Sequence, residues 1–111
     1  MKDMLDRLKR ADPSTYKGYK YLCDCIVWQS WERGEDKPLV EERILQGELQ
    51  EAIQARGYMF SVSHIWPKES IPAHMWKVRI FIDPDNIIET RDDRPAAALL
   101  AAYLAAIEGQ A

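Results

Sequence analysis

The chain has 111 residues, of which 47% are hydrophobic and 30% are charged, a composition typical of a folded protein rather than a disordered one. This length predicts a single domain, residues 1–111, that buries a core without disulfides or metals. The net charge of −3 excludes a strongly basic duplex-DNA binder and is too small for an acidic mimic of DNA.

The first predicted element is a short amphipathic helix over about residues 3–11. Its predicted buried face consists of apolar side chains at helical spacing: Met4, Leu5, Leu8 and Ala11. The sequence Asp12-Pro13-Ser14 follows and indicates a turn, because proline disfavours the helical conformation of the residue before it. The helix is therefore expected to end at residue 11.

Two structures fit residues 16–33. In a strand, one face would carry Tyr19, Tyr21, Cys23, Cys25 and Val27. In a helix, the buried face would carry Leu22, Cys25, Ile26 and Trp28. Gly34 suits a helix C-terminus, where a left-handed residue closes the last turn, and it favours a helix over about residues 19–33.

A longer helix is predicted over about residues 38–56, since Pro38 suits its first turn and Gly57 its end. Its apolar stripe consists of Leu45, Leu49, Ala52 and Ile53. Gly47, inside this helix, costs about 1 kcal/mol relative to alanine. We expect that a neighbouring element packs closely against the helix at this position and leaves room only for glycine.

Two strands follow, over about residues 59–66 and 76–82, and a short third strand over about residues 87–89. Apolar and polar side chains alternate along the first two, which predicts that each is buried on one face only. Residues 67–75 between them contain two prolines and are expected to form a surface loop.

The last predicted element is an alanine-rich helix over about residues 95–108, which Pro95 begins. Helices that pack against a small antiparallel sheet make an α+β fold. We therefore predict an α+β domain in which four helices accompany two or three strands.

No motif for catalysis or for a cofactor occurs in the sequence, so neither an enzyme nor a bound cofactor is expected. The side chains best suited to bind a transition metal are Cys23, Cys25, His64 and His74. Their spacing does not match the paired ligands of a structural zinc site, and no metal site is predicted. The cysteines are expected to be free thiols.

Two groups of side chains are candidates for binding. Lys77, Arg79 and Phe81 alternate along the second strand and would share its outer face, where an aromatic between basic groups suits nucleic-acid bases. Trp28 and Trp31 are three residues apart and, on a helix, would share a face that anchors a protein partner. Each of these aromatic side chains could instead belong to the core.

The N-terminal residues are charged throughout and no long apolar stretch occurs, so neither a secretory signal nor a membrane-spanning helix is expected. The predicted location is the cytoplasm. The sequence leaves open whether the protein is a monomer or a homodimer.

Residues 48–108 resemble small proteins of tailed phages and prophages, described as a phage sandwich domain with helix–sheet–helix layers. The resemblance rests on the helix end Ala52-Ile53-Gln54-Ala55-Arg56-Gly57-Tyr58, on the two strands, and on the helix start Arg94-Pro95-Ala96-Ala97-Ala98-Leu99-Leu100. Residues 1–36 have no counterpart in it.

The resemblance implies a phage protein that binds and inhibits a host macromolecular complex. A host defence system, such as a CRISPR ribonucleoprotein, is the expected kind of partner, and the contact would be between proteins. The alternative is a nucleic-acid-associated accessory protein that uses the outer face of the sheet.

Overall fold

The α+β fold is confirmed by a computed structural model, which describes residues 2–32, 37–65 and 75–109, with the side chains of 2–25, 38–65 and 75–109. The described elements, in chain order, are α1 (Lys2–Ala11), α2 (Pro13–Glu32), α3 (Lys37–Ala55), β1 (Met59–Ile65), β2 (Met75–Asp83), β3 (Asn86–Asp92) and α4 (Pro95–Glu108). The predicted loop over residues 67–75 falls outside the described residues except for Met75.

The strands form an antiparallel sheet in the order β1-β2-β3. Helix α4 packs on the inner face of β2 and β3. Helices α1 and α3 pack against α4, α3 also contacts β1, and α2 packs against α1 and α3. In this arrangement α4 is enclosed on nearly all sides. Ten of its side chains are buried, from Ala96 to Ile107.

Alanine suits α4 to this central position. Small side chains let a helix approach neighbours closely, and alanine also has the highest helix propensity. The larger residues of α4, Leu99, Leu100, Tyr103 and Leu104, are fully buried and join the core formed by the sheet and the other helices.

Helix α2 confirms the helical alternative for residues 16–33, but it starts at Pro13, six residues earlier than predicted. The proline that ends α1 also suits the first turn of α2, where its missing N–H costs nothing. Asp12 lies between the helices and accepts hydrogen bonds from Thr15 N at 3.3 Å and Thr15 Oγ1 at 2.6 Å, as a helix N-cap does.

The predicted buried face of α2 was wrong at Cys25, whereas Leu22 is half-buried. Cys25 is exposed, whereas Tyr19 and Cys23 are buried. Apolar residues occur on all sides of this helix, so the sequence pattern alone did not select a face. Packing against α1 and α3 selects the face of Tyr19 and Cys23. The side chains of Ile26 and Trp28 lie outside the described residues.

Helix α3 buries Leu45, Leu49 and Ile53, as predicted. The expectation for Gly47 was wrong: it is exposed, and no side chain or neighbouring element lies within 4 Å of the position that a Cβ would occupy. Gly57 ends the helix with a φ of +78°, the left-handed conformation that glycine adopts without strain. The chain then turns directly into β1.

Strand β3 extends from residue 86 to 92, beyond the predicted 87–89. Every residue from Ile87 to Asp92 is paired with β2, and Thr90 Oγ1 donates a hydrogen bond to the Ala98 carbonyl oxygen at 2.6 Å. These tertiary contacts outweigh the weak strand preference of its polar C-terminal half.

Candidate functional site

The side of the sheet that faces away from α4 is the candidate site, and we call it the outer face. Register aligns its side chains in three rows that cross all three strands, and Ile65 and Met75 form a further pair between β1 and β2 beyond them. The apolar row is Met59, Phe81 and Ile87; the middle row is Ser61, Arg79 and Glu89; and the basic row is Ser63, Lys77 and Arg91. Lys77 and Phe81 are half-buried, and the other side chains of these rows are exposed.

The apolar row is the most unusual part of the outer face. Met59 is 74% exposed and Ile87 is 50% exposed, and the half-buried ring of Phe81 lies between them. Isolated apolar side chains are common on protein surfaces, but a contiguous apolar patch marks an interaction site more often.

A pocket of about 420 Å³ lies beside the apolar row. Its lining consists of Gly57, Met59, Phe81, Ile82, Asp83 and Pro84. Because glycine at position 57 adds no side chain, the end of α3 does not fill this space. The pocket has the size and lining to receive an apolar side chain of a partner.

Ion pairs organise the middle and basic rows. Arg79 Nε donates to Glu89 Oε1 at 2.8 Å, and Arg91 Nη2 lies 3.5 Å from Glu89 Oε2. The hydrogen bond from Arg79 is the main reason that the pKa of Glu89 is lowered, and the charges of Arg79, Arg91 and Lys77 act in the same direction. Two guanidinium groups therefore contact one carboxylate.

The turn between β2 and β3 carries two acidic residues, Asp83 and Asp85. β2 and β3 are joined by a turn in which Asp83 Oδ1 accepts a hydrogen bond from Asp85 N at 2.9 Å. A register shift between Phe81 and Asp83 accompanies the turn. Asp83 is consequently paired with Asn86, one position out of the alternation that defines the outer face.

The structure brings together Lys77, Arg79 and Phe81, three of the five residues that the sequence suggested for binding. Trp28 and Trp31 belong to α2, and their side chains lie outside the described part of the chain. Sequence reasoning missed Met59, Ile87, Glu89 and Arg91. If the third strand had been predicted at its full length, alternation along it would have placed Ile87, Glu89 and Arg91 on the outer face.

The cysteines are free thiols, Cys23 buried and Cys25 exposed. Burial raises the pKa of Cys23, and it also raises the pKa of neighbouring Tyr19. A thiol with a raised pKa is a poor nucleophile at neutral pH, because the thiolate is the reactive form. Cys23 is therefore best explained as part of the core.

His64 is half-buried on the inner face of β1, and its ring centroid lies 4.8 Å from that of Trp76, its partner on β2. His74 falls outside the described residues. Among the side chains that the structure describes, no group of three or more His, Cys, Asp or Glu residues is placed to hold a metal ion.

A second polar cluster joins three helices on the other side of α4. Tyr103, which is fully buried, donates a hydrogen bond to Asp12 Oδ2 and accepts one from Arg56 Nε at 3.1 Å. Each of these polar groups is satisfied within the cluster. The arrangement holds α4 to the α1–α2 junction and to the end of α3.

In the described part of the chain, no helix is both long and apolar enough to cross a membrane. No protein-family model, no curated protein and no solved structure matches the chain.

Proposed function

We propose that this protein acts by binding another protein through its outer face, without catalysis. The observation that carries the proposal is the apolar row. Met59 is mostly exposed and Ile87 is half exposed, and they lie on either side of Phe81. Apolar side chains aligned beside a pocket offer a central contact, and the adjacent charged rows offer a polar rim.

The phage resemblance supplies the kind of partner. The bound protein is a component of a host macromolecular complex in the host cytosol, such as a CRISPR complex, and binding inhibits that complex. Inhibition by contact requires only a surface that covers a working part of the target. It is therefore compatible with a chain that carries no motif for chemistry.

The test is capture of host proteins on the immobilised chain, compared between variants. Met59→Ser combined with Ile87→Ser removes the exposed apolar groups, and we expect it to abolish retention of a specific host protein. The matched control is Tyr21→Ser, because Tyr21 is 69% exposed but lies on α2, away from the sheet. This control should retain the partner fully.

The same variants then test inhibition. Bacteria with an active CRISPR system that express the protein and are challenged with a targeted phage should lose protection with the original chain and with Tyr21→Ser. Bacteria that express the double serine variant should remain protected. Equal capture by all three chains would show that the outer face is not the binding surface.

The alternative, nucleic-acid binding, is favoured by one observation: in the described sheet, the middle and basic rows of the outer face hold three cations, Lys77, Arg79 and Arg91, and one carboxylate, Glu89. Its weakness is that Arg79 and Arg91 are both engaged by Glu89. Titration of a single-stranded oligonucleotide at two salt concentrations separates the alternatives. A nucleic-acid binder loses affinity steeply as salt rises, and Lys77→Ala should reduce that salt dependence.

A further inference from the structure

We infer that the edge of β1 that faces away from β2 pairs with the same edge of a second copy of this chain, so that two three-stranded sheets join into one of six strands. The inference is independent of the proposed function, because it uses the edge of the sheet and not its outer face. Its basis is a difference between the two edge strands, β1 and β3, together with the partial burial of β1.

The two edges of the sheet are protected unequally. An edge strand carries unpaired backbone groups, and proteins usually protect it with charged side chains, prolines or bulges. β3 carries Glu89, Arg91 and Asp92, and its register with β2 shifts near the turn. None of the seven residues of β1 is charged or a proline, and its register with β2 is unbroken. The sequence of β1 therefore contains nothing that opposes another strand.

The backbone of β1 is open along most of this edge. In an antiparallel pair, alternate residues direct their N–H and C=O groups away from the partner strand. Within the described part of the chain, residues 59–63 make no backbone hydrogen bond besides those of the ladder with β2. These five residues are therefore the segment on which a further strand can form a second ladder.

The core is also less complete beneath β1 than beneath β2. Val78 and Ile80 of β2 are fully buried, whereas their partners on β1, Val62 and Phe60, are only half-buried. The reason is that α4 packs on β2 and β3, while β1 contacts α3. A further strand with apolar residues on its inner face would complete the burial of Phe60 and Val62.

β1 of a second copy meets this requirement. A two-fold axis through Ser61 makes the two copies of β1 antiparallel and pairs residues 59–63 with each other. Phe60 of each copy then lies opposite Val62 of the other, so each half-buried apolar side chain gains an apolar neighbour. Because β1 is uncharged, no like charges meet across the axis. The edge is thus self-complementary, as a two-fold interface requires.

The first experiment is sedimentation equilibrium on the full chain, from micromolar to millimolar concentration. Pairing of short strands buries little surface, so the dimer should be weak and depend on concentration. We expect the average mass to rise from the monomer's 12.9 kDa toward twice that value. Ser61→Glu should weaken dimerisation at least tenfold, because it places two carboxylates opposite each other at the axis.

The matched control is Ser63→Glu, on the same strand and on the same face. Ser63 lies opposite Met59 of the second copy, so this change brings no like charges together and should leave the dimer within about twofold of the original. Within one copy, Ser61 is paired with Arg79 and Ser63 with Lys77, so each new carboxylate lies beside a cation in its own sheet. Neither change should oppose folding, and thermal unfolding of each variant verifies this.

Disulfide cross-linking tests the register. Cys25→Ser first removes the exposed native thiol, and Ser61→Cys and Ser63→Cys are then made separately in that background. At the axis, the Cα atoms of two opposed residues are about 4.5–5.5 Å apart, within the range of a disulfide. Residue 63 is offset by four positions from its own copy, about 13 Å along the strand. Mild oxidation should therefore give at least ten times more linked dimer with Ser61→Cys than with Ser63→Cys.

Three results would overturn the inference. One is a chain that stays monomeric at millimolar concentration. Another is a dimer that Ser61→Glu weakens no more than Ser63→Glu does, since the axis then does not pass through Ser61. The third is equal cross-linking of the two cysteine variants, which would show that the two copies meet in another register or through another surface.

Discussion

At the scale of single residues, Asp12 has more structural partners than its position between two helices suggested. Partial burial tends to raise its pKa, but hydrogen bonds from Thr15 and Tyr103 and the charge of Arg56 favour the carboxylate and outweigh burial. The net result is a lowered pKa. The same carboxylate caps α2 and binds α4, so its ionisation is linked to the packing of the helices.

This linkage predicts the response of stability to acid. A carboxyl group whose pKa is lower in the folded protein stabilises it above the unfolded pKa, about 4, and that contribution is lost as pH falls through the folded pKa. Asp12→Asn keeps a good N-cap but cannot ionise. We expect its free energy of unfolding to change less between pH 5 and pH 3 than that of the original chain.

Denaturant unfolding at a series of pH values measures this difference. Asp24→Asn is a suitable control, because Asp24 is exposed on α2. It should leave the acid dependence unchanged. If Asp12→Asn loses stability as steeply in acid as the original chain, the ionised Asp12 does not contribute in the way described.

At the scale of the elements, the two glycines of α3 should respond oppositely to alanine. Gly47→Ala should raise the free energy of unfolding by about 0.5–1 kcal/mol, since alanine is the better helix former and nothing obstructs its Cβ. Gly57→Ala should lower it by roughly 1–2 kcal/mol, because the φ of +78° is unfavourable for a residue with a side chain. Urea unfolding of both variants measures these two changes. A loss of stability in Gly47→Ala would contradict the conclusion that position 47 has room for a side chain.

The sequence was sufficient for the element types, because strong local signals define them. Pro95 and Gly57 mark helix ends, and strict alternation marks β1 and β2. The sequence was insufficient where tertiary contacts determine the length of an element or its buried face. The extension of β3 depends on pairing with β2 and on the bond from Thr90 to α4, and the buried face of α2 depends on its neighbours.

The candidate site was predictable only in part for the same reason. Lys77, Arg79 and Phe81 lie on one strand, so alternation alone places them together. The remaining members come from β1 and β3, and their alignment with β2 is a matter of register. Register is set by strand pairing and turn geometry, which a pattern within one strand does not contain.

At the scale of the whole molecule, α4 lies at the centre of the core and contacts the sheet and other helices. Interiors are closely packed, so added volume there forces its neighbours apart. Ala102→Leu, at a fully buried position, should cost roughly 1–3 kcal/mol of unfolding free energy. Probes of the helices and of the sheet should report the same loss, because one core serves both.

Ala105→Leu provides the control, since Ala105 lies on the same helix but is exposed. It should change the stability little. Circular dichroism follows the helices, and hydrogen exchange of the β2 amides follows the sheet. If Ala102→Leu affected one probe and not the other, the sheet and the helices would not unfold as one unit.

The central position of α4 also bears on synthesis. A ribosome delivers α1, α2, α3 and all three strands before it delivers residues 95–108. Until then, α4 is not there to cover the side chains of Val78 and Ile80 on the inner face of the sheet. It is also not there to cover the apolar stripe of α3. The core of the nascent polypeptide therefore remains incompletely packed until its alanine-rich segment has left the exit tunnel.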